Sequence, residues 1–202
     1  MSHDRVIPLR CECGKFQGQA QLDGTNGRFV CYCDDCQAYM KYIGQEKRVL
    51  DSAGGTEITP VIPTRIQLAG GARELLSCVR LTDRGMYRWY TSCCRSPIGN
   101  VHGAKMPYVG MISTIFAFKD ENDRREVLGE IRSRVMGKFA RGTPPPGTAE
   151  TMDLGTLWWV AKFMLPAFLK RQHKPHPFFQ NATPVVPPRV LTPEENKAAH
   201  VH

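Results

Sequence analysis

Apolar and polar residues alternate early in the chain. Phe16, Gly18, Ala20 and Leu22 share one parity, and Lys15, Gln17, Gln19 and Gln21 share the other. That period of two marks a strand with one buried face. Residues 23–27, Asp-Gly-Thr-Asn-Gly, form a turn, and residues 28–33 resume as a strand. Further strands are predicted over 57–62, 65–68, 75–81, 86–91 and 108–118, with Gly70-Gly71 and Asp83-Arg84-Gly85 as hairpin turns. Many short strands joined by glycine-rich turns imply a mainly β, antiparallel core. Two short helices interrupt it. One is capped by Asp34 or Asp35 and runs through Tyr42 to a stop at Gly44, and the other covers a turn or two of 120–128.

The period changes in the last third. Residues 142–148, Gly-Thr-Pro-Pro-Pro-Gly-Thr, read as a linker. Beyond it Leu154, Leu157, Trp158, Ala161, Met164, Leu165, Phe168 and Leu169 recur at helical spacing. Trp159, Val160 and Phe163 extend the apolar surface around this helix, and Pro166 should kink it. A helix of that kind must be covered, so residues 151–171 are expected to pack on the β core or on a second subunit, the rival being attachment to a membrane surface, since Lys170, Arg171 and Lys174 follow directly. The tail beyond His173 is Pro-rich and is expected to be irregular. The chain thus divides into a β domain over 1–141, a linker over 142–148, and a C-terminal helix and tail over 149–202.

At 202 residues the chain fits one domain with an appendage. No run approaches the roughly 20 apolar residues of a membrane span. The start, Met-Ser-His-Asp-Arg, lacks the basic and apolar regions of a secretory signal, which points to a cytoplasmic location. The formal charge of +8 is uneven. Residues 1–130 carry 17 basic and 15 acidic side chains, a net of +2, whereas 131–202 carry 10 and 4, a net of +6. The first part lacks the basic stripe with interleaved aromatics that nucleic-acid binding needs. The basic C-terminal third can meet an anionic partner, or it is simply a solvated surface.

The eight cysteines change the picture. In a reducing compartment, clustered cysteines suit metal binding better than disulfides. Three clusters stand out: Cys11-Glu12-Cys13, Cys31-Tyr32-Cys33-Asp34-Asp35-Cys36, and Cys93-Cys94. A C-x-C on a strand aims both sulfurs to one side. A C-x-C-x-x-C adds a third from the following turn, so Cys31, Cys33 and Cys36 can fill three corners of a zinc tetrahedron and leave the fourth open. Cys11 and Cys13 need partners from far along the chain, for which Cys93 and Cys94 are the obvious source. Cys78 lies within a predicted strand and reads as a small buried hydrophobe.

The order C-x-C, C-x-C-x-x-C and a late Cys before Ser96-Pro97 resembles the Gfa-like family, which includes glutathione-dependent formaldehyde-activating enzymes and the CENP-V proteins. The resemblance covers about residues 9 to 100 and rests on Arg10-Cys11-Glu12-Cys13-Gly14, Tyr32-Cys33-Asp34-Asp35-Cys36 and Cys94-Arg95-Ser96-Pro97-Ile98. It implies an antiparallel β-tent fold holding two zinc ions. Cys31, Cys33 and Cys36 match the ligands of the ion taken as catalytic, and Cys11, Cys13 and Cys94 match three of the structural set. The position of the fourth is Thr91, which offers no thiolate. Either Cys93 replaces it, giving two zinc ions per chain, or only one is held. The glycine that follows the late cysteine in the family is Arg95 here.

The resemblance also implies a reaction, the addition of the glutathione thiol to formaldehyde, which in reverse is a carbon–sulfur lyase. A zinc ion with three thiolates carries a net charge of about −1, so it polarises a carbonyl weakly but holds and deprotonates a thiol well. Arg95 or Lys41 would offset the added negative charge if the fold brought them near. Asp34 or Asp35 would serve as a hydrogen-bond partner to the groups around the ion or as proton acceptor, or else only cap the helix. The competing expectation is a non-catalytic module stabilised by zinc, with Cys78 or an acidic side chain closing the second site. The chain contains no G-x-x-x-x-G-K-[ST], H-E-x-x-H or dinucleotide-binding fingerprint, and His102, His173 and His176 are scattered.

Overall fold

Two sheets, one of three strands and one of eight, form the body of the computed structural model, which describes residues 4–23 and 26–201. In chain order the elements begin with β1 (Arg5–Arg10), β2 (Gln17–Leu22), β3 (Arg28–Cys31), α1 (Asp34–Ile43), α2 (Glu46–Val49) and β4 (Thr56–Val61). There follow β5 (Ile66–Leu68), β6 (Leu76–Arg80), β7 (Tyr87–Thr91), β8 (Pro97–Val101) and β9 (Val109–Ile112). The chain continues through α3 (Glu121–Leu128), β10 (Ile131–Val135), α4 (Leu154–Leu169), β11 (Phe179–Gln180), β12 (Thr183–Pro184), β13 (Arg189–Val190) and α5 (Pro193–His200).

The predicted alternation is present on β2, where Ala20 and Leu22 turn inward, and the same alternation turns Ile7 and Leu9 inward on β1, a strand that was not foreseen. β1 and β2 pair in antiparallel register with β5 on the far side. A Cβ on Gly18 would lie 2.6 Å from the Gln67 carbonyl oxygen, so the β2–β5 approach requires glycine there. Gly24 and Thr25 of the predicted turn lie outside the described residues.

The large sheet runs β10-β3-β4-β9-β8-β7-β6-β13. Its inner pairs are antiparallel, but β10 is parallel to β3 and β13 is parallel to β6. The core is therefore mainly β but mixed, not wholly antiparallel. Both parallel strands come from the C-terminal side, after long connections that period-two patterning does not report. Val109 and Met111 feed one apolar layer, shared with Phe16, Trp89 and Phe178. Ile112 feeds the other, under α1 and α5.

Three further expectations need correction. The strand expected over 108–118 is only β9, because residues 113–115 turn into a short 3-10 helix. β8 was not foreseen, since every residue of Pro97–Val101 is buried and no alternation marks it. The tail is not irregular. Phe178 stacks on Trp89 at 4.9 Å, Phe179 meets Tyr87 edge-on at 5.1 Å, and α5 opens with a capping box between Thr192 and Glu195. The helix over 154–169 forms as predicted and contains Pro166, but within the chain its apolar surface stays largely exposed. Among the described residues no helix is long and apolar enough to cross a membrane.

Candidate metal centres

The first centre joins two turns from different sheets. After β1 the chain reverses at Cys11–Gly14, with the Gly14 N–H donating to the Cys11 carbonyl at 3.0 Å and the Phe16 N–H to the Cys11 Sγ at 3.3 Å. Cys11 and Cys13 thus lie in a tight turn and not on a strand, and the turn aims both sulfurs the same way. The second turn links β7 to β8. The Thr91 N–H donates to the Ser96 carbonyl at 2.9 Å, the Arg95 N–H to the Thr91 carbonyl at 2.9 Å, and the Ser96 N–H to the Thr91 Oγ1 at 3.0 Å. Arg95 takes the left-handed conformation at φ +58°, a backbone that glycine adopts most readily.

Cys93 and Cys94 both reach Cys11 and Cys13. The sulfurs of Cys11, Cys13, Cys93 and Cys94 all lie within 4.8 Å of one another. Individual separations are 3.5 Å for Cys11–Cys13, 3.8 Å for Cys11–Cys93, 3.4 Å for Cys13–Cys93 and 3.8 Å for Cys93–Cys94. A tetrahedral thiolate site with bonds of about 2.3 Å has edges of about 3.8 Å. The donor set fits such an ion. Thr91 contributes its hydroxyl instead of a thiolate, 3.4 Å from Cys94 Sγ, with Ser96 Oγ at 3.2 Å from the same sulfur. Burial pushes the Cys94 thiol up, but the Ser96 and Thr91 hydroxyls and the Cys13 and Ser96 N–H groups outweigh it and bring it down to about 5. Burial raises Cys93 to about 12. The hydroxyl and N–H donors around Cys94 thus favour its thiolate, the form that a metal ion takes up.

The second centre lies where β3 hands over to α1. Cys31 ends the strand, Cys33 is the helix N-cap and Cys36 sits in the first turn, and their three sulfurs lie within 4.8 Å of one another. Cys31 and Cys36 are buried, and Cys33 is half-buried. The Cys36 N–H donates to Cys33 Sγ at 3.4 Å, so a cysteine caps this helix where Asp34 or Asp35 was expected. The two aspartates stand in the first turn, where the helix dipole favours them.

Arg88, on β7, is the functional residue that sequence reasoning missed. It is fully buried, with Nη1 4.0 Å from Cys36 Sγ and Nη2 3.1 Å from Asp35 Oδ2, and its guanidinium lies 5.5 Å from the centre of the Tyr39 ring. Asp35 Oδ1 also lies 3.3 Å from His200 Nε2 on α5. Hydrogen bonds from Cys31 and Cys33, reinforced by the Arg88 charge, hold the Cys36 thiol well below its ordinary value. Cys33 is pushed up, because its hydrogen bonds to Cys31 and Cys36 favour the protonated form. Neither of the expected cations serves this centre. Arg95 donates to the Tyr42 carbonyl at 2.8 Å, and Lys41 donates to the Val201 carbonyl. The signal for Arg88 was faint: a single arginine between Tyr87 and Trp89, on a strand that is buried on both faces.

Cys78 joins neither group. It is buried and pushed up to about 12 by that burial, as suits an inert core thiol. The model of a family of unknown function, DUF6151, matches residues 1–187. The chain belongs to that family. The match takes in both cysteine groups of this DUF6151 protein and α4, and ends before β13 and α5. No curated protein matches the sequence.

Proposed function

We propose that this DUF6151 protein is a two-site zinc protein of Gfa-like, β-tent character, and that its three-cysteine centre supports addition of a thiol to an aldehyde. The observation that carries this reading is the inequality of the donor sets, four sulfurs in one group and three in the other. Cys11, Cys13, Cys93 and Cys94 would complete a structural site, whereas Cys31, Cys33 and Cys36 would leave one position for a ligand. When bound there, zinc supplies thiol binding and deprotonation. The reaction is R–SH adding to an aldehyde R′–CHO, with a carbon–sulfur bond formed and the thiol proton ending on the former carbonyl oxygen. Glutathione with formaldehyde is the pair that the family resemblance suggests.

The chain's own residues supply charge and position. Arg88 offsets the negative charge of three thiolates and an incoming fourth, from a fixed place beside Cys36. Asp35 is occupied in holding Arg88 and His200, which makes it a positioning residue and leaves Asp34 as the carboxylate for a proton. The half-buried Cys33 marks the side from which a small thiol approaches.

One observation favours a second reading, a non-catalytic zinc-stabilised module. The C-terminal segment packs beside that centre, with Leu191 and Ala199 buried in the same apolar cluster as Cys31 and Cys36 and His200 Nε2 3.3 Å from Asp35 Oδ1. Metal analysis and turnover separate the two. About two zinc ions per chain are expected, falling to about one in Cys33→Ser. Adduct formation from glutathione and formaldehyde, followed by NMR against the uncatalysed rate, should be faster with the wild type than with Cys33→Ser. Equal rates with zinc present would leave the module.

A further inference from the structure

α4 is apolar all round, and only part of it is used within the fold. Its inner side rests on the β domain, with Thr156 and Ala167 buried and Trp159 edge-on to Phe29 at 6.2 Å. On the outer side Leu154, Trp158, Leu165 and Leu169 are 84 %, 63 %, 59 % and 72 % exposed, flanked by the exposed Leu157 and Phe168. Scattered exposed leucines are ordinary, but six large apolar side chains on one helix make a continuous patch. The helix has 16 residues and so measures about 24 Å, less than the roughly 30 Å of a hydrocarbon core. It is suited to lying in a membrane surface and not to crossing one.

Charge decides what covers the patch. From Leu154 to Val190 the sequence contains no Asp or Glu, while Lys162, Lys170, Arg171 and Lys174 stand on or just beyond the helix. Lys162 Nζ lies 5.1 Å from the centre of the Trp158 ring, at the edge of the patch. A second copy docking face to face in antiparallel fashion would set Lys162, at mid-helix, against its own counterpart with no carboxylate within α4 to pair either. An anionic lipid surface supplies both the apolar phase and the opposite charge. We infer that α4 is an interfacial helix that docks this protein on an anionic membrane surface through Leu154, Trp158, Leu165 and Phe168, with Lys162, Lys170 and Arg171 facing the lipid phosphates.

The test is sedimentation of the full chain with vesicles of phosphatidylcholine alone, or of phosphatidylcholine with one third phosphatidylglycerol. Binding is expected only to the anionic vesicles and should weaken as salt is raised. Trp158→Ser with Phe168→Ser should abolish it without lowering the melting temperature, since both side chains are exposed. Lys170→Gln with Arg171→Gln should weaken it on the order of thirtyfold. Three results would overturn the inference: no binding by the wild type, equal binding to neutral vesicles, or a dimer in sedimentation velocity that Trp158→Ser with Phe168→Ser dissolves.

Discussion

Arg88 is a fully buried cation with one carboxylate, Asp35, and one sulfur, Cys36, as its polar neighbours on that side. Its value to the three-cysteine centre depends on how many thiolates stand beside it. Arg88→Met keeps the volume and removes the charge, and it should cost about 2–3 kcal/mol in denaturant unfolding of the metal-free protein. The loss should be larger for the zinc-loaded protein, whose centre keeps a net charge of about −1 and cannot shed it by taking up a proton. An equal loss in both forms would mean that Arg88 only fills space. Arg95 presents a different case, a residue with a constrained backbone whose side chain makes one exposed hydrogen bond, to the Tyr42 carbonyl. At φ +58° a glycine is at ease and a β-branched residue is not. Arg95→Gly should therefore change stability by no more than about 1 kcal/mol, whereas Arg95→Val should cost about 1–2 kcal/mol, both read from thermal melts.

At the scale of elements, a metal ion held by the four cysteines would act as a staple. It would tie the β1–β2 turn of the three-stranded sheet to the β7–β8 turn of the eight-stranded one. Chelation should accordingly speed amide exchange in β1, β2 and β5 far more than in β4 and β9, which are held by the sheet interior. Uniform acceleration in both groups would contradict a local staple. These elements also show how much was legible beforehand. Alternation located β2, runs between glycine-rich turns located most of the inner strands, and helical spacing located α4. The cysteine spacings named all seven sulfurs now found in two groups. What escaped is what carries no local period. β8 is buried on both faces, so its pattern is uniform. β10 and β13 pair in parallel with strands remote in sequence. Arg88 and His200 reach Asp35 only through tertiary packing, and the burial of Phe178 against Trp89 was hidden within a proline-rich tail.

For the molecule as a whole, acid should act partly through His176. Burial, aided by the charge of His173, depresses its imidazole from 6.5 to about 4. The folded protein holds it neutral, while the unfolded chain binds a proton below about 6.5. Stability should therefore be complete above that pH, fall between about 6.5 and 4, and level off below. The full loss is on the order of 3 kcal/mol, and His176→Phe should flatten the profile in a pH series of unfolding curves. The same C-terminal region has a consequence for how the chain survives before it is finished. β13 contributes only two residues, Arg189 and Val190, yet it lies along β6, the strand that would otherwise end the eight-stranded sheet. An open edge of that kind recruits strands from other molecules. A ribosome-bound chain has such an edge until residues 189–190 emerge, and a chain cut at 187 has it permanently. Light scattering should show the shortened protein aggregating at concentrations where the whole one stays clear, so that the final residues act as a bumper against self-association.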